Sequence, residues 1–232
     1  MNAGKLIVAL DAPDRTQAER LVKALAGSVS TFKIGKELFT ACGPSVVEMV
    51  HAHGARVFLD LKFHDIPNTV ASACAAAAKL GVFMVNVHAS GGRKMMTEAA
   101  AELKKLPEDK RPLLIGVTVL TSMAESDLIE VGVTRSLDQQ VASLARLAKG
   151  SGLDGVVASG RELAIIRREV PGDFLIITPG VRPAWAAQGD QKRVVTPREA
   201  IEKGADFIVV GRPITQHPDP REAANKILEE IR

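Results

Sequence analysis

Eight short runs of β-branched and other apolar residues recur along the whole chain. They are LIVAL (6–10), TFKIG (31–35), RVFLDLK (56–62), FMVNVHA (83–89), LLIGVTV (113–119), GVVAS (155–159), FLIITPG (174–180) and FIVVG (207–211). Between them lie stretches rich in Ala, Leu, Glu and Lys, which predict helices near 15–27, 43–54, 66–80, 92–105, 137–150, 160–169, 197–203 and 221–231. The runs are mostly continuous rather than alternating, the pattern of parallel strands covered on both faces. Eight strand–helix units in 232 residues predict an α/β fold, a (β/α)8 TIM barrel, which typically needs roughly 250 residues. A doubly wound open sheet is the structural alternative. Against it, ALDAPDR (9–15) after the first run carries no Gly-rich dinucleotide turn. No linker or low-complexity segment interrupts the pattern, so residues 1–232 read as one catalytic domain.

Composition removes several function classes. The formal charge is +3, from 30 Lys and Arg against 27 Asp and Glu, and the basic residues are dispersed, so no nucleic-acid partner is expected. Seven Phe, one Trp and no Tyr do not make a base-stacking platform. No apolar run reaches the length of a bilayer span, and the N-terminal apolar stretch is broken by Asp11, so neither a membrane segment nor a signal peptide is predicted. Cys42 and Cys74 are the two cysteines, without metal-type spacing. A cytoplasmic location follows from that usage as an expectation.

In such a barrel, chemistry belongs at the C-terminal ends of the strands. The ends here supply Asp11, Lys33, Asp60 and Lys62, His88, Thr121 and Ser122, Ser159, then Pro179, Gly180 and Arg182, and finally Gly211 and Arg212. Asp60 and Lys62 are two apart on one strand, so both are expected on the interior face. Two charges there cost desolvation energy unless they pair. Lys33 on the neighbouring strand is within reach in principle, and Asp65 follows where the next helix begins. A structural salt bridge is the bland reading. The sharper one is a Lys–Asp–Lys–Asp array that holds Lys62 ready as a proton donor and places fixed charge where reaction charge develops.

Phosphate is the second expected ingredient, because the loops after strands seven and eight often bind it in this fold. They offer Arg182, Gln191, Gly211 and Arg212, a close backbone approach and guanidinium forks. The irregular stretch from Val181 to Val195 reads as a lid. Ser122 and Ser159 lack evident His–Asp partners, which disfavours serine nucleophile chemistry. His51 and His53 point to different helix faces, which disfavours a metal pair.

FLDLKFHDIPNTV (58–70) resembles the signature of the orotidine 5'-phosphate decarboxylase family, Asp-x-Lys-x-x-Asp followed by an aliphatic residue and Pro. ALDAPD, FKIGKELF, NVHASGG, VTVLTS, SGLDGVVAS, TPGVRP, GDQKRVVTP and IVVGRPIT resemble further family segments in the family's order. The resemblance implies decarboxylation of orotidine 5'-phosphate to uridine 5'-phosphate, in the last step of de novo UMP synthesis, with no metal and no organic cofactor. It implies that Asp11 and Lys33 bind the ribose hydroxyls, that Asp60 sits beside the substrate carboxylate, and that Lys62 protonates C6. Thr121 would contact the pyrimidine, and Arg182, Gln191, Gly211 and Arg212 the phosphate. Asp65, Ile66 and Thr69 would belong to a site shared with the partner subunit, making a homodimer. A sister branch acts on sugar phosphates with magnesium and carries an acidic ligand where Lys33 stands here. A nucleotide-binding barrel without catalysis is the rival from another class.

Overall fold

The computed structural model describes residues 3–186 and 195–232. Eight parallel strands close into a barrel in sequence order: β1 Leu6–Ala9, β2 Thr31–Gly35, β3 Arg56–Phe63, β4 Met84–His88, β5 Leu113–Val117, β6 Gly155–Val157, β7 Leu175–Thr178 and β8 Phe207–Val210. The last strand pairs with the first, Val8 opposite Val210. The fold is therefore a (β/α)8 TIM barrel.

The outer ring contains α1 Arg15–Leu25, α2 Lys36–Cys42, α3 Ser45–Ala52, α4 Pro67–Lys79, α5 Gly92–Lys104, α6 Glu125–Glu130 and α7 Leu137–Gly150. It continues with α8 Leu163–Glu169, α9 Pro197–Glu202, α10 Arg212–Thr215 and α11 Pro220–Glu230. The helix expected at 43–54 is present as α3, while the short α2 ahead of it has no counterpart in the expected pattern. Gly43 has φ +61° and separates α2 from α3, since a left-handed residue ends one helix before the next can start. Helix α6 was not expected, because six residues present too little apolar periodicity to register.

The continuous apolar runs resolve into two faces with different neighbours. Leu6, Val8, Phe32, Ile34, Val57, Leu59, Val85 and Val87 point outward into the layer shared with the helices. Ile7, Ala9, Phe58, Met84, Ile115, Ile177 and Val209 point inward and plug the barrel. Both sets are buried, which is why the runs are mostly apolar; the exceptions inside strands, Lys33, Asp60 and Asn86, lie toward the C-terminal mouth.

Capping residues fix where helices start. Asp14 accepts a hydrogen bond from the Gln17 N–H at 2.8 Å. Ser136 with Gln139 and Thr196 with Glu199 form reciprocal capping boxes, each N-cap stabilising its helix by about 1 kcal/mol. Thr196 is thus the N-cap of α9, with Pro197 in its first turn. The Ala-rich helix α4 packs on α5, with Ala77, Ala78, Ala99 and Ala100 all buried. Cys42 and Cys74 are both free thiols. No described helix is long and apolar enough to cross a membrane.

Candidate active site

Above the plug, the inward-facing positions turn from apolar to charged. Lys33 is paired in register with Ala9 and Phe58, and Asp60 with Gly35, so both side chains rise from the barrel floor at its C-terminal mouth. Gly35 leaves room there, since a Cβ on it would lie 3.1 Å from Lys33 Nζ. Lys33 Nζ stands 3.3 Å from Asp60 Oδ2 and 3.7 Å from Asp11 Oδ1. Lys62 Nζ donates to Asp60 Oδ1 at 2.6 Å. Lys33, Asp60 and Lys62 line one pocket with Phe58, Val117, Thr121, Val157, Ile177, Pro179 and Val209, so the ion pairs sit on an apolar floor.

Asp60 and Lys62 meet as expected, but not by plain strand alternation. Leu59 pairs with Val85 and Phe63 with Val87. Residues 60–62 of β3 therefore face a single β4 residue, Asn86. Within this bulge Lys62 has φ +53°, the one positive φ outside glycine among the described residues. Its N–H donates to Asn86 Oδ1 at 2.8 Å, and Asn86 Nδ2 donates to Asp60 Oδ1 at 2.7 Å. Asn86 is fully buried.

Burial alone would push the Asp60 carboxyl up. The Lys33 and Lys62 ammoniums and the hydrogen bonds from Lys62 and Asn86 outweigh that and hold it below the ordinary carboxylate range. Asp60 is thus an anion clamped between two cations, and these three groups carry a net positive charge. His88, whose ring lies 5.4 Å from that of His64, is pushed down to about 4. Burial is the main cause, with His64, Lys36 and Lys62 adding to it, so His88 is neutral at pH 7.

The other residues indicated by the sequence fall into three groups. Gly211 and Arg212 start α10 directly after β8. A Cβ on Gly211 would approach Asp11 Oδ2 to 2.9 Å, so the ends of β1 and β8 are packed together. Arg182 is buried just after Gly180, and its N–H bonds Val195 O at 3.0 Å. Asp65, Ile66 and Thr69, by contrast, are exposed and stand apart from the array. Asp65 Oδ1 accepts the Ile66 N–H at 2.6 Å, and Ile66 is 67% exposed. The fourth member of the expected array is therefore absent from its own chain's Lys33–Asp60–Lys62 contacts. Gln191 and most of the segment read as a lid lie outside the described residues.

Asn86 was missed at the sequence level. The signal available was an amide in the middle of MVNVH, where a buried polar group needs partners. Among the described residues no cluster of three or more His, Cys, Asp or Glu side chains could hold a metal ion. Larger clefts open elsewhere, one between Arg56 and Arg111 at the opposite end of the barrel, but without a comparable buried array.

Comparison with known proteins identifies the family. The sequence profile of the orotidine 5'-phosphate decarboxylase / HUMPS family matches residues 4–227. The chain is 57% identical to the orotidine 5'-phosphate decarboxylase of Syntrophotalea carbinolica, over 98% of this chain and 94% of that one. It is 54% identical to that of Marinomonas sp., over 93% and 91%. The crystal structure of orotidine 5'-phosphate decarboxylase from Lactobacillus acidophilus superposes with a TM-score of 0.86 at 39% identity, covering 98% of this chain and 99% of that one. On sequence, fold and the residues gathered at the barrel mouth, the chain belongs to the orotidine 5'-phosphate decarboxylase / HUMPS family.

Proposed function

We propose that the barrel mouth decarboxylates orotidine 5'-phosphate to uridine 5'-phosphate, completing UMP synthesis, without a metal or organic cofactor. The observation that carries this reading is the buried Lys33–Asp60–Lys62 chain of contacts, in a protein whose relatives at 50–57% identity bear the decarboxylase name. The family also holds a sugar-phosphate branch. Lys33 argues against that branch here, because an ammonium beside Asp60 repels a divalent cation from the place where a metal ligand would stand.

In the reaction the bond between C6 and the carboxylate carbon breaks, and its electron pair stays on C6 as carbon dioxide leaves. That pair lies in the ring plane, where no π system delocalises it, so its stabilisation must be electrostatic. The Lys62 ammonium stands ready for this. It transfers a proton to C6, giving uridine 5'-phosphate, and is reprotonated from water. Asp60 holds Lys62 in place through the 2.6 Å contact and lies beside the substrate carboxylate, an interaction relieved as carbon dioxide departs. Asp11 and Lys33 hold the ribose hydroxyls and Thr121 the pyrimidine. Arg182, Gln191, Gly211 and Arg212 hold the phosphate, whose remote binding energy supports the reacting end.

The same reading makes the enzyme a cytoplasmic homodimer. Lys62 has Asp60 as its one carboxylate partner among the described ion pairs of its own chain, Asp11 standing on the far side beside Lys33, while Asp65 is exposed beside the apolar, exposed Ile66. Delivery of Asp65, Ile66 and Thr69 to a neighbouring site would give Lys62 a second carboxylate and cover Ile66.

The test follows orotate-ring absorbance with purified protein, orotidine 5'-phosphate and a chelator. Absorbance should fall, with uridine 5'-phosphate and carbon dioxide as products. Lys62→Ala should lose turnover while still binding uridine 5'-phosphate, since the lost contact matters chiefly in the transition state. Binding without turnover by the parent protein would make it a silent barrel. Activity removed by chelator and restored by magnesium would move it to the sugar-phosphate branch.

A further inference from the structure

The bulge in β3 leaves an accounting problem. Three residues, Asp60, Leu61 and Lys62, face one residue of β4, so the regular ladder cannot supply a partner for the Lys62 N–H. A buried amide without a partner is costly. The backbone of Lys62 is also left-handed at φ +53°, a conformation that persists in a non-glycine residue only where its surroundings enforce it. The Asn86 side chain answers the first requirement with its carbonyl oxygen, 2.8 Å from the Lys62 nitrogen. With its amide group it reaches Asp60 Oδ1 at 2.7 Å, the same oxygen that takes the Lys62 ammonium at 2.6 Å.

One amide therefore grips the main chain of the lysine and the carboxylate that holds the lysine's head. From strand alternation Asn86 points into the barrel directly above Met84, which belongs to the apolar plug. It has no exposed surface, and it touches the reacting groups through protein contacts alone.

We infer that Asn86 is a positioning residue for the reaction: it fixes the left-handed bulge at Lys62 and the Asp60 carboxylate as one unit, so that the ammonium is aimed and the carboxylate stays ionised. The inference rests on the reading of Lys62 as proton donor.

Two variants test it. Asn86→Ala removes both contacts. Asn86→Asp keeps the size and the acceptor for the Lys62 N–H, but replaces the donor facing Asp60 with a second carboxyl. In both, the Asp60 anion loses a hydrogen bond that favours it. The acid-side limb of the kcat/KM profile should therefore move to higher pH, further in Asn86→Asp, where two carboxyls compete for one proton. At pH 7.5 kcat should fall at least about tenfold in Asn86→Ala, with KM for orotidine 5'-phosphate changed less than about threefold, as expected when an interaction acts in the transition state. A residue with a merely structural role would lower the folded fraction and leave the acid limb of the remaining activity where it was. If Asn86→Ala does not fold, the isosteric Asn86→Asp carries the measurement.

Lys62→Ala run in parallel separates two kinds of failure. If Lys62→Ala turns over normally, the donor reading falls and this inference with it. If Lys62→Ala is inactive while an Asn86 variant keeps the parent's kcat and acid limb, only the role given to Asn86 is overturned.

Discussion

Mixing two inactive variants gives the sharpest check on the shared site. Asp65→Ala subunits retain Lys33, Asp60 and Lys62, and Lys62→Ala subunits retain Asp65. Within one chain Asp65 makes its 2.6 Å contact with the Ile66 N–H and none with Asp60, Lys33 or Lys62 among the ion pairs described. Its loss should therefore leave its own chain's array untouched and damage the neighbour's. In a mixed two-fold dimer, one site would combine both lesions and the other would carry neither. Random pairing of equal amounts makes half the dimers mixed, with half of their sites intact, so activity should approach about one quarter of the parent value. The yield should peak at equal mixing and fall to roughly a tenth at a nine-to-one ratio, by the same pairing rule. The assay is loss of orotate absorbance after subunit exchange, with exchange verified by co-purification of differently tagged chains. Exchange without recovered activity would mean that Asp65 serves its own subunit, and the shared-site reading would be wrong.

Other outcomes follow from individual side chains. If Arg212 holds the phosphate as proposed, Arg212→Ala should forfeit a charge-assisted contact worth roughly 1.5–3 kcal/mol, so kcat/KM should drop about ten- to a hundredfold; unchanged kinetics would make Arg212 ordinary surface charge. His88 is held neutral down to about 4 from an ordinary 6.5, so between those values the unfolded chain binds a proton that the folded chain does not. Stability should therefore rise with pH across that window, and His88→Gln should flatten the slope between about pH 4 and 6.5 in urea titrations. A slope that survives the substitution would assign it to other groups.

The barrel was legible because both faces of every strand are buried. That forces mostly apolar, β-branched runs and makes each charge at a strand end conspicuous. Asp60 and Lys62 stood out for this reason, as did Gly211 and Arg212 after FIVVG. Backbone events were not legible. Helix α2 (Lys36–Cys42), which follows directly on the TFKIG run and ends at the left-handed Gly43, has too little apolar periodicity of its own to register. A strand period of two is enough to predict that Asp60 and Lys62 share a face. The structure reaches the same result through a register shift, for which a run such as VFLDLKF carries no mark. Asn86 was hidden in another way, since its importance lies in the bulge it serves and that bulge belongs to the neighbouring strand.

The left-handed lysine sets folding against chemistry at a single position. Glycine adopts such a backbone freely, whereas an L-residue there gives up about 1 kcal/mol or more. By backbone preference alone, a protein selected for heat resistance would drift toward Gly at position 62 and away from the group proposed to donate the proton. Thermostability screens run without an activity filter would then return inert barrels. An engineer wanting a hardier catalyst should leave the mouth alone and work on the outer helices and the far end of the barrel.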